Sequence, residues 1–328
     1  MLDFAVNVRG TTPEWLREKL RARVDDLSTY PSPDDEDAAV GAIAAAHGRD
    51  DAEIAVLSGA AEGFALAAGL RPRHAVVIAP SFTEPERVLR AAGVPVTRVV
   101  LPPPWRVTDA VVPDDADLVV VGNPTNPTSV LHPAGALLAL CRPGRVVLVD
   151  EAFADVTLAE VGGDLVDEPQ SVAGRRLPGL VVLRSVTKTF AVPGLRAGYL
   201  VGDADVVARM VVARPHWPVG TLQLAAVTAA LGPIGRDHAR AQARQVRAER
   251  DTMCRMLVDA GVTVCGDPQA SFVLVHDADA LARRGRLADA GVAVRRCDTF
   301  PGLGADHLRL AVRGRDDVAT LLRAWSAS

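Results

Sequence analysis

Positive charge in this 328-residue chain is written almost wholly as arginine: of 36 basic residues only Lys19 and Lys188 are lysine. A guanidinium supplies charge but not a primary amine that can shed its proton near neutral pH. A lysine kept against that usage is therefore a candidate for amine chemistry. Lys19 sits in WLREKLRARV, the pattern of a charged helical face, whereas Lys188 sits in SVTKTF, directly after an apolar run. A desolvated amine there can form a Schiff base with an aldehyde. Ser58-Gly59-Ala60-Ala61-Glu62-Gly63 also follows an apolar run and opens a helical pattern. Small residues in that place expose backbone N–H groups to an anion, which the helix dipole favours, although a plain strand-to-helix turn uses them too. Asn123-Pro-Thr-Asn126-Pro-Thr-Ser129 forms a rigid turn that carries amide side chains. Asp150 ends VLVD, and a carboxylate after so apolar a lead-in wants a positive partner: an arginine, or the pyridinium of a cofactor. Ser185, Thr187 and Arg196 flank Lys188 as a candidate phosphate clamp.

These residues need a scaffold that gathers them. Seven short Val-rich runs recur: 54–57, 75–79, 96–101, 118–121, 146–149, 180–183 and 197–201. They lack period-2 alternation, which predicts strands buried on both faces, and helical patterns such as 84–92 and 134–141 lie between them. Alternation of strand and helix predicts an α/β fold with a mostly parallel sheet, at whose carboxyl edge ligands bind. The large domain is placed at 31–213. From Thr221 to about Ala260 two helical stretches are broken at Gly232-Pro233, followed by strands at 272–275, 292–295 and 307–312 and helices at 278–290 and 316–325, which reads as a smaller α+β domain over 214–328. Residues 1–30 are expected to pack on that domain or on a partner. Pro31-Ser32-Pro33-Asp34-Asp35 carries helix N-cap signals.

Composition narrows the function. Net charge is −4, with 49% hydrophobic and 23% charged residues, the values of a soluble globular protein without a nucleic-acid footprint. The basic run Arg236–Arg255 is read as a solvated helix face. The longest uncharged stretch, Pro215–Gly235, has too short an apolar heart to span a bilayer, and MLDFAVNVRG has neither the basic nor the apolar region of a signal peptide. Cys141, Cys254, Cys265 and Cys297 form no CxxC pair, so a reducing cytoplasm without disulfides is expected. The seven histidines show no metal-ligand spacing, and there is no GxSxG elbow and no P-loop.

The ordered set SGAAEG, PSF, NPTNPT, DEAF, SVTK and PGLRAGY, with Asp150 and Lys188 38 residues apart, resembles the fold-type I pyridoxal-phosphate enzymes of aminotransferase class I/II over nearly the whole chain. TYPSPD and VAVRRCDTFPGL…HLRLAVR resemble the histidinol-phosphate aminotransferase group, most closely its cobalamin-biosynthesis branch, which includes threonine-phosphate decarboxylase. The resemblance implies a large domain built on a mostly parallel seven-stranded sheet, and a homodimer. It implies Lys188 as the Schiff-base lysine that then shuttles the α-proton, and Asp150 as the partner of the pyridine nitrogen. Asn126 would bond the ring's phenolic oxygen and Phe82 stack on the ring. Ala60, Ala61, Ser185, Thr187 and Arg196 would hold the cofactor phosphate, joined by Tyr30 from the other subunit. Arg309 matches the arginine that grips a substrate carboxylate and Arg295 one that meets a substrate phosphate, with Arg296 adjoining it; Asn7 and Trp217 fall in stretches that line the mouth. Against the family pattern, Phe153 stands where a hydroxyl-bearing tyrosine is common, Phe82 replaces a frequent tyrosine, Ser129 replaces a glycine, and VNVRGTTP departs from the NPLGPP wording of the lid. The expected activity is an aminotransferase acting on a small phosphorylated amino substrate. L-threonine O-3-phosphate decarboxylation and a weakly catalytic pyridoxal-phosphate-binding protein are the alternatives.

Overall fold

Side-chain alternation decides how the central strands are buried. Val147 and Val149 enter one hydrophobic cluster and Leu148, between them, enters another; Val119 and Val121 divide from Leu118 and Val120 in the same way. These central strands are therefore covered on both faces, which removes the polar alternation of a half-exposed strand; the predicted run at 96–101 differs, because its strand Val96–Val100 lies at the sheet edge with no residue buried. The computed structural model, which describes residues 1–326, forms this sheet from all seven predicted runs. In spatial order they are Ile54–Leu57, Gly198–Gly202, Leu180–Ser185, Val146–Asp150, Leu118–Gly122, Ala75–Ala79 and Val96–Val100. Only Gly198–Gly202 runs against the rest.

That reversed strand does structural work at the functional edge. Gly198 lies between Leu57 and Ser185, the carboxyl ends of its two neighbours. A Cβ at Gly198 would stand 2.7 Å from both the Ala60 nitrogen and the Arg184 oxygen, so only glycine admits so close an approach. The register also sets Gly122 beside Asp150. Ser58, Asn123, Asp150 and Ser185 thus end neighbouring strands at one edge.

The helices begin and stop where the sequence signals them. Ser32 caps Pro33–His47, its Oγ accepting from the Asp35 N–H at 3.1 Å, and Gly48 ends that helix in the left-handed region at φ 64°. Thr221–Leu231 and Pro233–Asp259 are separate helices hinged at the extended Gly232. The predicted helix at 134–141 shortens to Ala134–Leu138.

The second sheet is antiparallel, in the order Thr263–Val264, Phe272–His276, His307–Ala311 and Arg295–Arg296. It buries Val273, Val275, Leu308 and Leu310 against the helices Ala280–Asp289 and Arg315–Ser326. The single strand predicted at 292–295 is two. Val292–Ala293 pairs in parallel with Leu2–Asp3, and Arg295–Arg296 pairs with His307–Ala311. Val292 and Val294 both bury their side chains in this core, so the side chains keep one course while the backbone changes partner. The opening residues lie here: Phe4 is fully buried in the same cluster, while Leu16 further on packs in the core of the large sheet. The hairpin Leu158–Val161/Asp164–Asp167 was not foreseen; most of it is exposed, so no buried apolar run announces it. Among the described residues no helix is long and apolar enough to cross a membrane.

Candidate active site

The edge where the parallel strands end opens on a cavity of about 420 Å³. Nine of the proposed cofactor residues line it: Ala60, Ala61, Phe82, Asn126, Asp150, Ser185, Thr187, Lys188 and Arg196. Asn7, Arg295 and Arg309 close it from the opening segment and the second sheet.

The ionisable groups are unusual in having so few partners. The Asp150 carboxylate accepts one hydrogen bond, from the Ala152 N–H at 3.1 Å, and burial pushes its pKa up to about 6 against the opposing pull of Lys188. Lys188 is held below the usual lysine value, first by burial and then by the Arg196 and Arg309 cations. A buried carboxylate without a cationic hydrogen-bond partner and an amine whose pKa is lowered by burial and neighbouring cations mark a site rather than a structural pair.

One end of the cavity is shaped for a phosphate. Gly59, at φ 85°, turns the chain into the helix Ala60–Ala68, and a Cβ there would lie 2.9 Å from Arg196 Nη2. The helix N-terminus, the Arg196 guanidinium and the Ser185 and Thr187 hydroxyls, 2.7 Å from each other, all face this place. Glu62 in the first helical turn would repel an anion. It is held by Arg214, at 3.1 Å from both carboxylate oxygens, and by the Ser58 N–H at 2.6 Å.

At the other end Arg309 is nearly buried. Its Nη1 donates to Asn126 Oδ1 and its Nη2 to the Ala5 carbonyl, each at 2.6 Å, while Nε has no partner. No carboxylate bonds it, and burial pushes its pKa down to about 10. Because Arg309 can only donate, the atom of Asn126 facing it is the carbonyl oxygen, which leaves the amide nitrogen for another acceptor. Arg295 stands directly across from Arg309 in the strand register, so both side chains leave the same face. Arg296 takes the other face and pairs with Asp298. The structure thereby separates two arginines that sequence left equivalent. Two like charges side by side are costly without an anion between or beside them.

This donor set fits pyridoxal phosphate: a buried carboxyl for a pyridinium, a desolvated amine with a lowered pKa for an aldehyde, and a hydroxyl, guanidinium and N–H cradle for a phosphate. Tyr30 and Trp217 do not line the cavity. They stack on each other with ring centroids 4.4 Å apart and are 73% and 57% exposed, which leaves a large aromatic pair open on the surface. Phe153, where a tyrosine is common, lies in the wall and meets Phe272 edge to face at 5.0 Å. Sequence reasoning passed over Phe300, whose ring lies 5.1 Å from the Arg295 guanidinium carbon, and Ala5 and Val6 beside Asn7. The PGL wording directly after Phe300 was the available signal for it; nothing in the residue types of Ala5 and Val6 announces them.

Ser129 also finds its explanation. It is fully buried at φ 62°, its Oγ accepts the Ala270 N–H at 2.7 Å, and its carbonyl accepts the Gln269 N–H at 2.8 Å. The hydroxyl thus ties the Asn126 turn to the strand beside Arg309. Ser129→Ala should destabilise the protein by about 1–3 kcal/mol, because it strands a buried N–H. Ser129→Gly should cost less, since glycine relieves the left-handed backbone. Urea unfolding of both variants checks this, and equal or reversed losses would contradict it.

The chain matches the family model described as aminotransferase class I and II over residues 1–324. It is 51% identical over 314 residues to the histidinol-phosphate aminotransferase of Mycobacterium bovis, covering 95% of this chain and 84% of that protein. It is 30% identical over 341 residues to the threonine-phosphate decarboxylase of Salmonella typhimurium, covering 99% and 90%. Its fold matches the crystal structure of the histidinol-phosphate aminotransferase from Clostridium acetobutylicum with a TM-score of 0.89, at 24% identity and over 100% and 98% of the two chains. It also matches L-threonine-O-3-phosphate decarboxylase from Porphyromonas gingivalis with a TM-score of 0.83, at 20% identity and over 100% and 99%.

Proposed function

The chain belongs to the class I and II aminotransferases, pyridoxal-phosphate enzymes of fold type I, and from that premise we propose that it transfers the amino group of a small phosphorylated amine such as L-histidinol phosphate. The observation that carries the proposal is the pair Arg295 and Arg309, two adjacent cavity cations without a carboxylate hydrogen-bonded to Arg309. Pyridoxal phosphate supplies an electrophilic aldehyde and a ring that takes up electron density when a bond at the substrate's Cα breaks.

The chain's own residues do the rest. Asp150 holds a proton on the ring nitrogen, its ionised form being the one that gains from that cationic partner. Asn126 donates its amide N–H to the ring hydroxyl, and Phe82 covers the ring. Ser185, Thr187, Arg196 and the N–H groups of Ala60 and Ala61 bind the cofactor phosphate. Lys188 Nζ, unprotonated more readily than an exposed lysine, moves the proton at the substrate's Cα. Arg295 takes the substrate phosphate, and Arg309 takes the carboxylate of the amino-acid partner in the exchange.

The exposed Tyr30–Trp217 stack supports a homodimer in which Tyr30 reaches the neighbouring cofactor phosphate, since aromatic pairs of this kind are typical of interface cores. Sedimentation of the loaded protein at micromolar concentration should give twice the chain mass. The four unpaired thiols support a reducing, cytoplasmic setting.

One observation favours a second reading, decarboxylation of L-threonine O-3-phosphate. That compound carries a carboxylate and a phosphate together and satisfies both arginines at once, whereas L-histidinol phosphate carries the phosphate alone. A steady-state assay with L-histidinol phosphate and 2-oxoglutarate separates the readings. Glutamate should form at a rate proportional to enzyme; no glutamate, with CO₂ evolved from O-phospho-L-threonine, would replace the first reading by the second.

A further inference from the structure

The segment Asp3–Val8 covers the Arg309 end of the cavity, yet beyond Asp3 it has no regular secondary structure. Its carbonyl groups are nonetheless almost all taken. Phe4 O accepts from the Ala311 N–H at 2.7 Å and Ala5 O from Arg309 at 2.6 Å. Those of Asp3, Val6 and Val8 all accept from one side chain, Arg313, at 3.0, 2.9 and 3.4 Å. A guanidinium has five N–H donors in a fixed plane, so it can fix three carbonyls of an irregular segment where an ammonium would reach fewer. What this fixing achieves is visible one residue along. Asn7 is 7% exposed, lines the cavity, and its Oδ1 has no hydrogen-bond partner. An orphaned buried acceptor in a cavity wall is costly unless a ligand donor meets it.

We propose that Arg313 is a positioning residue for the substrate: it ties Asp3–Val8 down as a strap, so that Ala5 O braces Arg309 and the Asn7 amide faces a donor group of the bound amine. This rests on the substrate reading above. The strap is held by Arg313, and the substrate is held by Arg309 and Asn7, so Arg313 acts without touching it.

The test compares pyridoxal-phosphate-loaded wild type with Arg313→Ala, Arg313→Lys, Asn7→Ala and the double variant Arg313→Ala/Asn7→Ala. Hydrogen exchange of the N-terminal peptide should be at least roughly tenfold faster in Arg313→Ala. KM for L-histidinol phosphate, or for O-phospho-L-threonine if that is what the wild type turns over, should rise roughly tenfold or more. The visible absorbance of the lysine-bound cofactor should stay the same and kcat should change by less than about threefold, the signature of lost substrate binding. Arg313→Lys should fall between. In the Asn7→Ala background the Arg313 substitution should raise KM by less than it does alone, because the part that acts through Asn7 is already lost. Unchanged exchange, KM penalties that add in full, or losses of kcat and cofactor absorbance with KM unmoved would each overturn the proposal. Should Arg313→Ala fail to fold, Arg313→Lys carries the same comparison. Should the wild type turn over neither compound, the substrate reading fails by itself, and the exchange measurement still decides whether Arg313 holds the strap.

Discussion

Lys188→Ala loses the visible absorbance of the lysine-bound cofactor, and its turnover falls by at least about 10³-fold, the scale of removing a positioned proton-transfer group that also binds the reacting partner. No other group replaces it. Lys19, the only other lysine, lies exposed on the helix Glu14–Arg21. The guanidinium groups around the cavity stay protonated and cannot take a proton from carbon. The fold should survive, because burial already works against the charged amine, and the Asp150 carboxyl that loses its pull can take up a proton more readily. Absorbance and steady-state turnover of the variant, with circular dichroism to confirm folding, check this. Turnover within tenfold of wild type, or an unchanged visible band, would show that another group holds the cofactor.

Asp150→Asn should cut kcat/KM by about 10²–10³-fold, the effect of deleting a single preorganised charge in a water-poor site, and should stabilise the cofactor-free protein at the same time. The carboxyl's pKa is raised by burial to about 6 from a normal 3.8. Between those values the folded chain holds a proton that the unfolded chain has lost. Stability therefore falls as pH rises through that window and stays lower above it, by on the order of 3 kcal/mol at pH 8. Asparagine has no charge to bury and can still accept from the Ala152 N–H. Cofactor-free Asp150→Asn should accordingly resist urea better than cofactor-free wild type at pH 8, with about half the difference left at pH 5. A less stable variant at pH 8, or a difference independent of pH, would mean that Asp150 is not the unpartnered carboxylate described above.

The two halves of the molecule were unequally legible. The seven strands of the large sheet were read within two residues at either end: six are largely buried, which leaves Val-rich runs with few rivals, and the exposed edge strand Val96–Val100 was legible from its β-branched residues alone. Chemistry at their ends was legible for the same reason: Asp150 and Ser185 end buried strands, and position alone brings them to one edge. The second sheet was harder. Val292–Arg296 carries one apolar pattern but pairs with two different strands, and pairing partners leave no mark on a strand's own residues. The choice between Arg295 and Arg296 depended on register against Arg309, which is likewise a property of two segments together. Tyr30 and Trp217 show the same limit. Their contact with each other is long-range in sequence, and neither residue's own type announces it. The strap was invisible because it works through backbone carbonyls, and the sequence shows only the arginine that binds them.

The central claim, transamination of a phosphorylated amine at Lys188, is tested most directly by a single turnover. Pyridoxal-phosphate-loaded protein is mixed in separate reactions with L-histidinol phosphate and with O-phospho-L-threonine, without a keto acid, while the cofactor spectrum and CO₂ are followed. The expected result is stoichiometric conversion to pyridoxamine phosphate by L-histidinol phosphate with no CO₂ from either compound. Release of CO₂ from O-phospho-L-threonine, with the original spectrum restored and no pyridoxamine phosphate from L-histidinol phosphate, would contradict it and make the enzyme a decarboxylase.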